Sequence, residues 1–231
     1  MIFGLWLRLV LAASAVVLCG CSRPTPNESA SGSVRIVSLG GAITETIFAL
    51  GAGNRVVGTD SSSLVPDAAA RLPKVGYVRQ FSAEGVIGLE PTLVVASSAA
   101  APASALAQVR AAGVQVIVVP EPADLDGARN QLQLIAEAVD AAEDAKAIAA
   151  RIESDIERAR QLAAEQPEEP RRVLFVYARG AGTLMVSGRK TGAEAMIELA
   201  GGRNAVGGFE GFRPLSAEAV VGAAPDVILI P

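Results

Sequence analysis

The sequence predicts an α/β protein of two similar lobes with parallel sheets, joined by a long backbone helix, with a ligand cleft between the lobes. Short β-branched runs alternate with helical stretches, which is typical of parallel sheets covered by helices. One order of motifs occurs twice in the chain, in 34–123 and again in 170–231. The stretch between the two copies, 124–169, has apolar residues at helical spacing and is expected to form one or two helices.

The first copy is bounded by strong start and stop signals. Ser82 is a favourable N-cap residue at the start of a helix, and Gly113 is favourable just after the end of one. Pro91 is expected to end the helix that Ser82 starts, and Pro120 the strand that precedes it. Tyr77 is expected on a loop because proline and glycine precede it. The predicted strands are Val34–Leu39, Arg55–Gly58, Thr92–Ala96 and Val114–Val119, and the predicted helices are Thr44–Leu50, Ala83–Leu89 and Ala103–Ala112.

The second copy repeats these signals at two fixed offsets. An offset of 134 residues places the Ser-Ala-Glu of 82–84 on that of 216–218, and an offset of 149 places Glu45 on Glu194. The predicted elements are the strands Arg172–Tyr177 and Val227–Ile230 and the helices Thr191–Leu199 and Ser216–Ala223. The second copy has no counterpart of the helix and strand that follow Thr92–Ala96, so we expect the C-terminal lobe to be incomplete.

Composition excludes several classes of function. The chain has no histidine, which removes histidine-based catalysis and most zinc and copper sites. A net charge of −4 without a basic run argues against nucleic acid as a partner. No Gly-x-Ser-x-Gly motif is present, and both cysteines precede residue 22, so an enzyme is disfavoured. A structural or sensory envelope protein remains an alternative.

The first 33 residues have the pattern of an export signal followed by a tether. Arg8 precedes a mostly apolar run that is shorter than the roughly 20 residues that span a bilayer. The sequence Leu18-Cys19-Gly20-Cys21 resembles a bacterial lipobox, which implies a signal peptide over 1–20 and a lipid on Cys21. The polar stretch 21–33 would then be the tether. The alternative is an ordinary signal peptide with incidental cysteines.

Longer motifs resemble a known family. Arg35-Ile36-Val37-Ser38-Leu39-Gly40-Gly41, with Val56-Val57-Gly58 and Asp60, resembles the first-lobe fingerprint of periplasmic binding proteins for ABC importers of iron chelates and corrinoids. The stretch Gly76–Gly85 (GYVRQFSAEG) resembles the haem-binding subgroup, as do Gly188-Arg189 and Pro214–Glu218 in the second copy. This resemblance extends from residue 34 to residue 231.

The resemblance implies specific site residues. Tyr77 would bind haem iron through its phenolate, and Arg79 would hydrogen-bond that phenolate. A neighbouring guanidinium and ferric iron both favour the anionic phenol, whose usual pKa is about 10. Arg189, Lys190 and Arg213 are candidate contacts for the haem propionates. Some relatives bind a second haem through a histidine, which this chain lacks.

The same resemblance implies a membrane partner. Glu84 and Glu218 would dock against arginines of an ABC permease, one glutamate on each lobe. The alternative is that each only complements the positive end of its helix. Tyr177 is expected to pack in the core or at a sheet edge. The predicted function is therefore a lipid-anchored haem-binding protein of the periplasm or cell envelope that delivers haem to a permease, with a siderophore or corrinoid as the alternative ligand.

Overall fold

The computed structural model describes residues 34–165, 169–178 and 183–230, and every structural statement below concerns these residues. Cys21, the signal peptide over 1–20 and the tether over 21–33 lie outside the described residues. Within those three ranges, no helix combines the length and the apolar character that crossing a bilayer requires.

The first lobe is a parallel sheet with helices on both faces. Its four main strands have the order β2-β1-β5-β6, and every neighbouring pair is parallel. Two clusters of buried aliphatic side chains fill its two faces. The elements are β1 (Ile36–Leu39), α1 (Gly41–Ala49), β2 (Val56–Thr59), α2 (Asp67–Ala70), β3 (Gly76–Tyr77), β4 (Gln80–Phe81), α3 (Ala83–Ile87), β5 (Leu93–Ser97), α4 (Ala103–Ala111) and β6 (Gln115–Val119).

Two helices follow the first lobe, α5 (Leu125–Ala138) and α6 (Ala142–Ala164). The buried face of α5, with Ile135 fully buried, belongs to the first-lobe core. Arg129 of α5 donates from Nη2 to Oε2 of Glu153 on α6 at 3.0 Å. The longer helix α6 packs against α7 of the second lobe. Thus α5 is part of the first lobe's packing, and α6 connects the lobes.

The second lobe contains a mixed sheet, which differs from the expected parallel one. Its central strand β7 pairs in parallel with β9 and β11 but antiparallel with β8, and β8 pairs antiparallel with β10. The strands β8 and β10, four and three residues long, were not among the predicted elements, because the first copy of the repeat has no antiparallel pair at their positions to serve as a template. The elements are β7 (Arg172–Ala178), β8 (Leu184–Ser187), α7 (Gly192–Leu199), β9 (Arg203–Asn204), β10 (Phe212–Pro214), α8 (Ala217–Ala223) and β11 (Val227–Leu229).

The repeat is visible in strand order and in one side-chain contact. The parallel trio β9-β7-β11 repeats the trio β2-β1-β5. In the first lobe, Arg35 precedes β1 and donates to the carbonyl oxygens of Leu89 (2.7 Å) and Glu90 (2.9 Å), just beyond α3. A guanidinium there satisfies carbonyls that a helix end leaves without partners.

The second lobe has the matching contact. Arg172, at the start of β7, donates from Nε to the carbonyl oxygens of Ala223 (3.0 Å) and Ala224 (3.2 Å) at the end of α8. The offset of 134 residues maps the two acceptors of the first lobe onto these two. Glu90 and Ala224 even share a left-handed backbone, with φ of 48° and 41°. We call these two contacts the arginine clamps; they hold α3 and α8 in equivalent places.

One face of the second sheet is open in the described part of the chain. A groove of about 900 Å³ lies between α6, α7 and the sheet. Its lining is apolar and includes Phe175, Met196 and Leu229. Met196 is 60% exposed and Leu229 45% exposed. The first sheet, by contrast, has a buried cluster on each face.

Candidate functional site

The carboxyl ends of β1 and β2 meet around one buried carboxylate, Asp60. Its Oδ1 accepts hydrogen bonds from Gly40 N and Ser63 Oγ, both at 2.8 Å. Its Oδ2 accepts from the backbone N–H of Ser62 at 2.8 Å and from the Ser62 hydroxyl. Thr44 extends the network through its hydroxyl, 2.7 Å from that of Ser63. The first turn of α1 and the loop after β2 are therefore joined through one fully buried side chain.

Asp60 is held in its charged form. Burial alone would raise the pKa of its carboxyl, but hydrogen bonds from Ser62, Gly40 and Ser63 outweigh burial and lower the pKa below its ordinary value. Lys74 lies close enough for the charge of Asp60 to act on it. Burial lowers the pKa of Lys74, and the charge of Asp60 partly opposes this. Sequence reasoning placed Asp60 in the family fingerprint but did not find this network, because its members lie up to 23 residues apart along 40–63.

Tyr77 lies beside this network, on a short hairpin. It ends β3, which pairs antiparallel with β4, so the expectation of a loop position was wrong. Gly76 makes the hairpin possible: its φ is +113°, and a Cβ there would lie 2.8 Å from the carbonyl oxygen of Gln80. Ser61, in the loop that Asp60 organises, donates its backbone N–H to Gly76 O at 2.7 Å. The position of Tyr77 thus depends on the Asp60 loop.

The hairpin is anchored by two buried side chains. Val78 and Phe81 are buried in the first-lobe core, and Val78 O accepts a hydrogen bond from Ala101 N at 2.9 Å. Tyr77 is 50% exposed, and Arg79 is exposed. Within the described part of the chain, neither of these two side chains has a hydrogen-bonding partner, and they do not bond each other. The anchored hairpin therefore presents an unpaired phenol and an unpaired guanidinium to solvent.

Glu84 and Glu218 occupy matching positions in the first turns of α3 and α8, and both are exposed. Ser82 caps α3 by accepting from Gly85 N at 3.0 Å. Ser216 caps α8 by accepting from Ala219 N at 3.1 Å. Hydrogen bonds from the Glu218 N–H and from Ser216 lower the pKa of the Glu218 carboxyl.

The three candidate cations of the second lobe lie near one another. Lys190 Nζ is 2.9 Å, and Arg189 Nη2 3.9 Å, from Oε1 of Glu210. These cations lower the pKa of Glu210, chiefly through the Lys190 hydrogen bond. Arg213 stacks on the ring of Phe209, with its guanidinium carbon 4.6 Å from the ring centre. All three cations remain exposed, although Glu210 offsets part of their charge.

The two lobes differ where Tyr77 lies. The offset of 134 residues places Arg79 on Arg213, but it places Tyr77 on Gly211. The second tyrosine, Tyr177, is half-buried in β7 and packs edge-on against Phe212, with ring centres 5.1 Å apart. Its packing role agrees with expectation. In the described ranges, no three His, Cys, Asp or Glu side chains cluster in a way that could hold a metal ion.

The fold consists of two α/β lobes joined by a helix. In the first lobe, the carboxyl ends of β1 and β2 meet at the Asp60 loop, beside the hairpin that carries Tyr77. Residues 36–230 match the family model described as "Periplasmic binding protein", and the chain belongs to that family. Members serve ABC importers as exported substrate-binding components.

Solved structures of similar proteins agree with this assignment. The periplasmic heme-binding protein RhuT from Roseiflexus sp. RS-1, in apo form, is 46% identical with a TM-score of 0.81, covering 86% of this chain and 76% of that one. The periplasmic heme-binding protein BhuT, in complex with two hemes, is 44% identical with a TM-score of 0.79, covering 86% of this chain and 77% of that one.

Curated relatives are more distant. The uncharacterized ABC transporter substrate-binding lipoprotein YvrC of Bacillus subtilis (strain 168) is 27% identical over 98% of this chain and 79% of its own length. The vitamin B12-binding protein of Yersinia pseudotuberculosis serotype O:1b (strain IP 31758) is 26% identical over 95% of this chain and 76% of its own length.

Proposed function

We propose that this protein binds ferric haem through the phenolate of Tyr77 and delivers it to an ABC permease. The observation that carries the proposal is the unpaired, half-exposed phenol of Tyr77 on a hairpin anchored by buried side chains, two residues from the unpaired guanidinium of Arg79. Two solved structures, 44% and 46% identical to this chain, are those of periplasmic heme-binding proteins.

The chemistry of this pair suits ferric iron. A free phenol has a pKa of about 10 and is neutral at pH 7. Ferric iron stabilises the phenolate, which is an established axial ligand of haem. The nearby positive charge of Arg79 favours the same anion. Arg189, Lys190 and Arg213 are our candidates for the propionates, because they are exposed cations clustered on the second lobe.

Export and docking complete the proposal. We place the protein in the periplasm or cell envelope, anchored by a lipid on Cys21. Glu84 and Glu218 dock on the permease. Support for docking is their matched placement, because the arginine clamps hold α3 and α8 in equivalent positions on the two sheets.

A hemin titration of Tyr77→Phe tests the ligand. The parent should show the charge-transfer band of tyrosinate-ligated ferric haem, and Tyr77→Phe should lose it and bind haem at least tenfold more weakly. Tyr177→Phe is the matched control, because its ring packs against Phe212. An unchanged spectrum and affinity in Tyr77→Phe would refute the assignment.

A corrinoid is the second candidate, because one curated relative is a vitamin B12-binding protein. Titration with cyanocobalamin separates the two ligands. The proposal requires that hemin bind and cyanocobalamin not compete with it. Saturable cyanocobalamin binding without hemin binding would establish the alternative.

Docking has its own test. Combining Glu84→Arg with Glu218→Arg reverses both charges, and uptake of haem into the source bacterium should stop while the haem spectrum of the purified protein stays that of the parent. Normal uptake by this double variant would contradict the docking role of the two glutamates.

A further inference from the structure

The connection that carries Tyr77 is longer in the first lobe than its counterpart in the second. Ser82 follows Gly58 by 24 positions, whereas Ser216 follows Gly207, the residue that matches Gly58 in the repeat, by nine. We call residues 59–81, which include α2 and the Tyr77 hairpin, the first-lobe insert. The second lobe forms its parallel trio of strands with the shorter connection, so a sheet of this kind does not require the additional residues.

The backbone of the insert returns along β2. Thr59 donates its N–H to Pro73 O and accepts at its own carbonyl from Val75 N, both at 3.0 Å. Ser61 then donates its N–H to Gly76 O at 2.7 Å. These bonds place the segment that leads into the hairpin beside the end of β2. Any residue other than proline could supply them, so they do not explain which side chain stands at position 74.

The side chain of Lys74 joins three parts of the insert at one point. Its ammonium donates hydrogen bonds to Thr59 Oγ1 at 2.7 Å, to Ser63 O at 2.8 Å and to Ala69 O at 3.0 Å. An ammonium group has three N–H donors, and these acceptors use all of them. The end of β2, the loop after it and α2 are therefore held by one cation. We call this set of three hydrogen bonds the Lys74 contact.

Ser63 couples the Lys74 contact to the buried carboxylate. Its hydroxyl donates to Asp60 Oδ1 at 2.8 Å, while its carbonyl accepts from the ammonium of Lys74. The charge of Asp60 also acts directly on Lys74. Ser61, which donates to Gly76 O, belongs to the same loop. The Lys74 contact therefore fixes the loop that hydrogen-bonds the hairpin.

We propose that Lys74 is a positioning residue for the iron ligand Tyr77. It acts through the Asp60 loop rather than on the haem, and it keeps the phenol in one place relative to the first sheet. Hydrogen-bonding partners of a metal ligand typically change metal affinity by about 10–100-fold when they are removed. Lys74 acts one contact further out, so a smaller effect is expected. This inference rests on the proposed function and adds a residue that holds the site without contacting the ligand.

A hemin titration of Lys74→Met tests the proposal. Methionine keeps an unbranched apolar side chain and removes all three donors. The Kd for hemin should rise at least about fivefold, because the phenol is no longer held where the iron requires it. At saturating hemin, the charge-transfer band of the tyrosinate complex should also shift and weaken. A Kd within about twofold of the parent with an unchanged band would overturn the inference.

Arg55→Met is the matched control. Arg55 precedes β2 at its other end and donates from Nη2 to Val139 O. The control therefore also removes a cation that donates to a backbone carbonyl, but away from the insert. Both variants should lose thermal stability, whereas only Lys74→Met should change the Kd and the spectrum. Equal changes in Arg55→Met would show that they follow from lost stability, and the proposal would then be wrong.

Thr59→Val decides the question if Lys74→Met does not fold. Thr59 is buried, and valine has nearly the same shape, so the substitution removes one acceptor of the ammonium and little else. The Kd for hemin should rise about two- to threefold, and the band should shift in the same direction as in Lys74→Met. A parent Kd and a parent spectrum in Thr59→Val would count against the inference.

Amide hydrogen exchange separates this inference from the proposed ligand. Without hemin, the N–H of Ser61 exchanges when its bond to Gly76 O opens, so Lys74→Met should speed this exchange at least about tenfold and Arg55→Met should not. If hemin does not bind the parent but the exchange is faster, the proposed ligand is wrong and Lys74 still positions the hairpin. If hemin binds with a tyrosinate spectrum and Lys74→Met keeps the parent values, the proposed function stands and the inference fails.

Discussion

Asp60→Asn is expected to lower the free energy of unfolding by about 2–3 kcal/mol at pH 7. Each carboxylate oxygen of Asp60 accepts one backbone N–H, from Gly40 on one side and Ser62 on the other. An amide replaces one oxygen with a donor. The serine hydroxyls can rotate, but a backbone N–H cannot, so one N–H must lose its acceptor. That loss costs about 1–3 kcal/mol, and the remaining hydrogen bonds lose their charge assistance.

The effect should depend on pH in a defined direction. The folded pKa of Asp60 is lowered, so the carboxylate contributes stability that is complete above its unfolded pKa of about 3.9 and is lost as pH falls through the folded value. The difference in unfolding free energy between the parent and Asp60→Asn should therefore be constant from about pH 5 to pH 7 and shrink below about pH 4.

Urea denaturation of the purified protein without added ligand, followed by far-ultraviolet circular dichroism, measures this difference. Asp67→Asn is the control, because Asp67 in the first turn of α2 has no side-chain hydrogen bond within the described ranges. It should change stability by less than about 0.5 kcal/mol. Equal stability of the parent and Asp60→Asn at pH 7, or a difference that persists unchanged to pH 3, would refute the reasoning.

Three further substitutions test other parts of the structure. Gly76→Ala places a Cβ within 2.8 Å of Gln80 O at a φ of +113°, so it should lower the free energy of unfolding in urea by about 1–3 kcal/mol. Its control, Gly207→Ala, has no atom within 4 Å of the added Cβ and should leave that free energy nearly unchanged. Ser82→Ala removes the cap of α3 and should cost about 0.5–2 kcal/mol; retained stability would show that the Gly85 N–H bond contributes nothing. Gly222→Ala should raise stability by about 0.5–1 kcal/mol, and a lower thermal midpoint would contradict the open space found around it.

Local signals predicted much of the first lobe. The parallel strands were marked by β-branched runs, and Ser82 and Gly113 marked a helix start and a helix end where the structure has them. Boundaries shifted where tertiary contacts decide: α1 begins at Gly41 rather than Thr44, because Asp60 binds Gly40 N and fixes the entry into the helix. Such contacts between distant residues leave no periodic pattern in the sequence.

The internal repeat predicted only part of the second lobe. Its parallel trio follows the first lobe, but β8 and β10 form an antiparallel pair. The site residues illustrate the same limit. Tyr77 and Arg79 were named from their motif, whereas the hairpin that holds them depends on the φ of Gly76 and on the Ser61–Gly76 hydrogen bond. The ion pairs of Glu210 with Lys190 and Arg189 depend on loop geometry, which the repeat did not specify.

The arginine clamps have a further consequence for how the molecule meets a partner. Arg35 and Arg172 each tie the chain that enters the central strand of a lobe to the end of that lobe's glutamate-bearing helix, so each helix is fixed to its own sheet by a similar local contact. Tyr77 has no such counterpart, because the equivalent position of the second lobe is Gly211. The two lobes therefore present similar helix ends to a partner, whereas a ligand meets a phenol at this position on the first lobe only.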